Sequence, residues 1–205
     1  MNKKNKSILI GLALGDGCVS KNIDKRHNSV SYYIGFTHGI KQYEYLKFKA
    51  NLLNKILGGK QNQVRVIDNS GYAGCKYQKA HKDLKFIYEL LYYNGKKRIT
   101  RKALDYLDAE AIAYWYMDDG SLYAQKRNGK IHAYSLVIST CCDTEEEVNE
   151  IIKYFMEVWN IRFNIKRNKG KFSITCNTRE IRKFLPIIKP YVSKIPCMSY
   201  KIKDV

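Results

Sequence analysis

Two short apolar runs interrupt a chain whose other segments are patterned half apolar and half polar. Ile8 to Gly17 reads ILIGLALGDG, and Ala111 to Ser121 reads AIAYWYMDDGS. Each is apolar on most faces of a helix and far too short to cross a bilayer, so each reads as a buried helix. Gly11 and Gly15, four apart, clear one stripe of the first helix, and the two predicted helices are expected to pack on each other. Around them the period alternates. After a basic, polar lead-in over Met1 to Ser7, the stretch Val19 to Thr37 has period two, with Val30, Tyr32, Ile34 and Phe36 on one face, and predicts two strands about the turn Asp24–Asn28. Tyr43 to Leu57 carries Leu46, Ala50, Leu53 and Leu57 at helical spacing and stops at Gly58-Gly59. Gln63–Asp68 and Tyr72–His81 predict a second hairpin turned at Asn69-Ser70-Gly71, followed by a helix over Asp83–Tyr93. Asn94 to Asp108 is a basic connector containing KKRITRK.

The order then repeats. Leu122–Arg127 and Ile131–Thr140 predict a hairpin across Asn128-Gly129, and Thr144 with Glu147 forms a capping box for a helix ending near Trp159. Ile161–Lys166 and Lys171–Asn177 alternate cleanly, Arg179–Tyr191 closes as a helix, and the tail reads SKIPCMSYK. The expected fold is α/β (α+β): a duplicated αββαββα body with pseudo-twofold symmetry, halves at about 1–100 and 101–205, two motif helices at its centre and two antiparallel sheets. Neither half is expected to stand alone, because each would leave its apolar helix half exposed.

Composition narrows the function classes. With 45% hydrophobic and 13% aromatic residues the chain can build a sizeable core and is no disordered tail. Thirty-seven Lys and Arg against 19 acidic residues give a net charge of +18, spread along the whole chain, which points to a polyanion partner. A lysine-rich soluble protein from an AT-rich genome would share that charge. The six cysteines form no CxxC pair and the four histidines no zinc spacing, so the cysteines are expected as reduced core residues. The apolar run Ile8–Leu14 is short and is followed at once by Gly-Asp-Gly, so no secretory leader is expected and the expected setting is intracellular: a mitochondrial or chloroplast interior, or a bacterial or phage-infected cytoplasm.

The chemistry concentrates where the apolar runs end. A glycine after the last helical residue is a common helix stop, so Asp16 and Asp119 should project from helix C-termini. There a carboxylate faces the negative end of a helix dipole and, at the foot of a packed pair, another carboxylate; a bound divalent cation would satisfy both. An Asp-Gly pair that merely ends a helix is the simpler alternative for either copy alone.

Leu9–Gly17 (LIGLALGDG) and Ile112–Gly120 (IAYWYMDDG) resemble the two motif copies of the single-chain, double-motif branch of LAGLIDADG homing endonucleases, and the resemblance covers essentially the whole chain. Tyr114 and Asp118 depart from the small residues usual in that pattern, and alignment with Asp16-Gly17 selects Asp119 over Asp118 as the ligand. The resemblance implies a monomeric, site-specific double-strand DNA endonuclease with a long target, encoded by an intron or other mobile element, hydrolysing phosphodiesters to leave short 3′ overhangs. Each Asp would serve one strand, assisted by the main-chain carbonyls of Gly15 and Asp118. Mg²⁺ (or Mn²⁺) fits, since Mg²⁺ commonly takes one or two carboxylates plus phosphate oxygens and water.

Asp16 to Lys97 is 97 − 16 = 81 positions and Asp119 to Lys201 is 201 − 119 = 82, so the halves place a lysine equivalently. The family implies catalytic lysines in such settings, holding water or offsetting transition-state charge, with phosphate anchoring or plain solvation as alternatives. On the sheet faces Gln63, Arg65, Arg162, Asn164, Lys166, Lys171 and Asn177 are of types that reach base edges or phosphates, although a solvated face reads the same way. Two other functions stay open: an RNA-binding maturase assisting intron splicing, and a catalytically silent DNA-binding regulator.

Overall fold

The computed structural model describes residues 1–69, 72–168 and 170–202. Helix α1 spans Lys3–Leu14, so most of the polar lead-in is its first turns rather than coil: the Asn2 side chain accepts from the Asn5 amide at 2.8 Å and starts the helix there. Strands β1 (Cys18–Asp24) and β2 (Ser29–Gly39) follow, then a 3-10 turn (Ile40–Gln42) and α2 (Tyr43–Leu57), which ends as predicted because Gly58 takes φ +67°. β3 (Arg65–Asn69) and β4 (Tyr72–Ala80) complete an antiparallel sheet of order β1-β2-β4-β3; of the predicted turn between them, Ser70 and Gly71 lie outside the described residues.

The predicted helix at Asp83–Tyr93 is shorter than its pattern. α3 spans Leu84–Leu91, and Tyr92–Tyr93 (β5) instead pairs with Lys96–Lys97 (β6). Asn94 at φ 49° and Gly95 at φ 75° supply the two left-handed residues that a two-residue hairpin turn needs. This small hairpin carries Lys97 inward. α4 (Arg101–Leu104) then leads to α5 (Ala109–Asp119), started by Asp108, whose carboxylate accepts from the Ala111 amide at 2.9 Å.

The second half repeats the plan with β7 (Gly120–Arg127), β8 (Lys130–Cys142), α6 (Glu145–Trp159), β9 (Asn164–Asn168), β10 (Lys171–Asn177), α7 (Thr178–Val192) and a 3-10 turn (Pro196–Lys201); its sheet runs β7-β8-β10-β9. The strand predicted at Ile161–Lys166 pairs only from Asn164, although Ile161 and Phe163 keep the alternation and are buried. Thr144 caps α6 through the Glu147 amide, but the Glu147 carboxylate reaches the amide of Asp143 rather than that of Thr144.

α1 and α5 are the centre of one continuous core, buried on every side from Ile8 to Leu14 and from Ala111 to Met117. Gly11 sets their approach: a Cβ there would lie 2.4 Å from the carbonyl oxygen of Ala111. Tyr114 does not obstruct this contact, because its ring packs on Phe48 of α2 and its hydroxyl donates to Glu110. Among the described residues no helix is long and apolar enough to cross a membrane. Cys75, Cys142 and Cys176 are buried as expected, whereas Cys18 and Cys197 are exposed, the first of these on the outward face of β1.

Candidate active site

Both motif ends turn tightly, which is what their glycines permit. The Gly17 amide reaches back to the Leu12 carbonyl at 3.0 Å, and a Cβ on Gly17 would meet that oxygen at 2.4 Å. A Cβ on Gly120 would lie 2.1 Å from the Tyr116 ring. Asp16 lies just past the end of α1 and Asp119 is the last residue of α5, and the two meet at one small cleft, lined also by Leu14, Lys97, Thr140 and Glu147. The pairing expected from sequence is therefore present.

Its electrostatics are unfavourable as they stand. Burial, then the charges of Asp16 and Asp118, push the Asp119 carboxyl up to about 7, against the opposing pull of Lys97 and the Trp115 indole. Trp115 Nε1 is buried and makes no hydrogen bond of ordinary geometry among the described residues, so its pull on Asp119 acts by proximity. Asp16 is raised as well, by burial and by Asp118, with Lys49, His38 and Lys201 pulling it down. Carboxyls held above their ordinary range at the feet of two helices, with main-chain carbonyls beside them, form a set that a hard divalent cation fits. The residue Asp118 retains exposure although its side chain has none, so its exposed surface is main chain, and its carbonyl can join such a set. Gly15 is buried and its carbonyl already accepts from Lys97, leaving one lone pair. Among the described residues no cluster of three or more His, Cys, Asp or Glu makes a self-sufficient metal site, so completion of the shell falls to water and substrate oxygens.

The two lysines occupy matched positions. Lys97 Nζ donates to the carbonyls of Gly15 (3.2 Å) and Gly17 (3.1 Å), and Lys201 Nζ to that of Gly120 (2.6 Å). Each thus grips the motif end of its own half. Their charges also reach across the helix pair: Lys97 pulls Asp119 down and Lys201 pulls Asp16 down, while Lys201 feels Asp118 and Asp119 of its own half as well. Burial lowers Lys201 itself, against the pull of Asp118, Asp119 and Asp16.

Three buried residues at the site were not singled out by sequence. His38, at the inner end of β2, was assigned no role, yet its Nδ1 lies 3.6 Å from Asp16 Oδ2 and 3.1 Å from Gln42 Oε1. Burial and the adjacent Lys49 lower it, with Asp16 opposing. Lys49 and Tyr45 of α2 both bond the Asp118 carboxylate. The signal for Lys49 was present in sequence, since position 49 falls three after Leu46 and four before Leu53 on the apolar stripe of α2.

The outward sheet faces keep most of the predicted polar set. Arg65 is exposed and sits opposite Lys76, with Gln78 and Thr37 on the same face; Asn164 and Lys166 are exposed opposite Thr175 and Ser173. Gln63 and Arg162 are exposed but precede their strands. Two residues have other duties. Asn177 caps α7, accepting from the Glu180 amide at 3.3 Å, and Lys171 is ion-paired with Asp143.

Comparison with known proteins follows the same lines. A profile described as the LAGLIDADG DNA endonuclease family matches residues 6–184. The chain is similar to the homing endonuclease I-WcaI bound to its DNA recognition sequence, at TM-score 0.80 and 25% identity over 100% of this chain and 88% of that one. It is 30% identical over 133 residues to a probable intron-encoded DNA endonuclease 3 of Mycosarcoma maydis, covering 60% of this chain and 88% of that protein. It is also 26% identical over 202 residues to the RecA protein of Mycobacterium gastri, covering 95% of this chain and 46% of RecA; the chain thus spans about half the length of that relative.

Proposed function

The chain belongs to the LAGLIDADG DNA endonuclease family, and from that membership we propose that it is a site-specific homing endonuclease that cuts both strands of duplex DNA by metal-dependent phosphodiester hydrolysis, acting as a monomer of two halves at about 1–100 and 101–205 and leaving short 3′ overhangs. The observation that carries the reading is the convergence of Asp16 and Asp119, both raised carboxyls, between two lysines anchored on the neighbouring glycine carbonyls. A Mg²⁺ (or Mn²⁺) ion held by Asp16, Asp119 and the carbonyls of Gly15 and Asp118 would supply a nucleophilic water and charge neutralisation at the phosphate.

The remaining work falls to the protein. Asp16 and Asp119 stand at the C-terminal ends of two helices that Gly11 holds in backbone contact, so their spacing is set by the core rather than by loops. Lys97 in the cleft and Lys201 beside the aspartates, both half-buried and bonded to motif-end carbonyls, would offer ammonium charge close to developing negative charge. The exposed residues Gln63, Arg65, Arg162, Asn164 and Lys166 would meet the duplex, and the charge of +18 would draw it in. Cleavage assays on DNA spanning the uninterrupted host locus, with Mg²⁺ against EDTA, test the proposal. Asp16→Asn and Asp119→Asn should each keep specific binding and lose cleavage by orders of magnitude; near-normal cutting by either would overturn the site.

A further inference from the structure

The second motif copy has an aspartate, Asp118, where the first has Gly15, and the structure gives that extra carboxylate a defined task. Its side chain is wholly buried and uses both oxygens. Oδ1 accepts from Lys49 Nζ at 2.5 Å and from Tyr45 Oη at 2.8 Å; Oδ2 accepts from the main-chain amide of Asp16 at 3.0 Å. Asp118 therefore crosses the helix pair to close the end of α1, satisfying an amide beside the other copy's ligand. Gly15 makes room, since a Cβ there would fall 2.3 Å from Asp118 Oδ2. Lys49 is itself wholly buried against the rings of Phe36 and Tyr45 and stands 3.3 Å from His38 Nε2, while His38 faces the Asp16 carboxylate. Asp16 is thus held at its backbone by Asp118 and flanked at its carboxylate by His38, both tied to one lysine.

Among the described residues no side chain bonds the Asp119 amide as Asp118 bonds that of Asp16. α2 and α6 are both 15 residues long, starting at Tyr43 and Glu145, so Lys49 corresponds to 145 + 6, which is Ile151, and Tyr45 to Glu147. With Gly15 in place of a carboxylate and Ile151 in place of an ammonium, the Asp119 side lacks the buried pair and has Glu147, which lines the cleft, in place of Tyr45. We infer that Asp118, Lys49 and Tyr45 form a positioning cluster for Asp16 alone, so that the two cuts depend on differently built supports. The inference rests on the endonuclease reading only for its strand consequence; the geometry stands without it.

The test uses Asp118→Asn, because asparagine offers one acceptor oxygen where Asp118 uses two, and the double variant Lys49→Met/Asp118→Asn, which leaves neither charge buried should the single variant fold poorly. In metal-free protein, amide hydrogen exchange at Asp16 should rise about tenfold or more in Asp118→Asn, while exchange at Asp119 and Gly120 stays at the wild-type rate. Unchanged protection of Asp16 in folded variants would overturn the inference whatever the protein's activity. With each strand of a target duplex labelled, Asp118→Asn should slow one cut about tenfold more than the other at unchanged DNA affinity, and equal slowing of both would overturn it. A wild type that cuts neither strand would refute the endonuclease reading and leave the exchange result to decide this one.

Discussion

Neutralising Asp119 should stabilise the metal-free protein, and only above acidic pH. Burial and two neighbouring carboxylates lift this group from 3.8 to about 7. Between those values the folded protein holds a proton that the unfolded chain has released, so stability falls as pH rises through the window and levels off above it. At about 1.4 kcal/mol per pH unit the full displacement corresponds to about 4 kcal/mol. The carboxyl keeps some contact with solvent and Asp16 is partly relieved at the same time, so about 2–4 kcal/mol is the expected gain of Asp119→Asn over wild type at pH 8, shrinking towards zero near pH 4. Urea unfolding in EDTA at several pH values, followed by circular dichroism, measures the difference with the other titrating groups cancelled. Trp115 beside Asp119 offers a second readout: in a Trp159→Phe background its fluorescence should titrate near neutrality in wild type and not in Asp119→Asn. A wild-type-to-variant difference that is flat from pH 5 to pH 8, or that favours wild type, would refute the assignment of strain to this carboxyl.

Gly11→Ala should destabilise by about 2–3 kcal/mol in thermal or urea unfolding, because the new Cβ meets backbone of Ala111 at 2.4 Å and the helices must part; a gain, as helix propensity alone would give, would contradict the close approach. Because each ammonium bonds carbonyls beside the carboxylate of its own half, Lys97→Met should slow the same strand as Asp16→Asn, and Lys201→Met the same strand as Asp119→Asn, each by about ten- to a hundredfold; strand-labelled cleavage that groups them crosswise would reverse that assignment. DNA affinity should fall steeply with salt, at a log–log slope of about −0.9 per phosphate contacted, and a flat response in a salt titration would argue for a partner other than duplex DNA.

What could be read from sequence follows from how local each signal is. α2 was legible to the residue because its stripe and its glycine stop are both local, and the hairpins because alternation and Asn-Gly turns are. The end of α3 was misplaced because Leu90 to Tyr93 is apolar enough to continue a helix, and only the pairing of Tyr92 with Lys97 breaks it. The motif carboxylates were legible from two matching ends. The polar faces were legible only as faces: that Asn177 caps a helix and Lys171 serves Asp143 depends on partners 3 and 28 positions away and on which way each side chain turns. Asp118 was weighed as a ligand and set aside, yet its partners, Lys49 and the Asp16 amide, are 69 and 102 positions distant, beyond any local pattern.

That cluster also limits how either half could pair with a copy of itself. Two copies of the first half would face Gly15 to Gly15, leaving a hole between the helices and Lys49 buried in each without its carboxylate. Two copies of the second would drive Asp118 against Asp118, in a space where even a methyl group on Gly15 finds the opposite oxygen at 2.3 Å. Each half is the lock for the other's key: neither could pair with a copy of itself without substitutions on both sides of the helix pair.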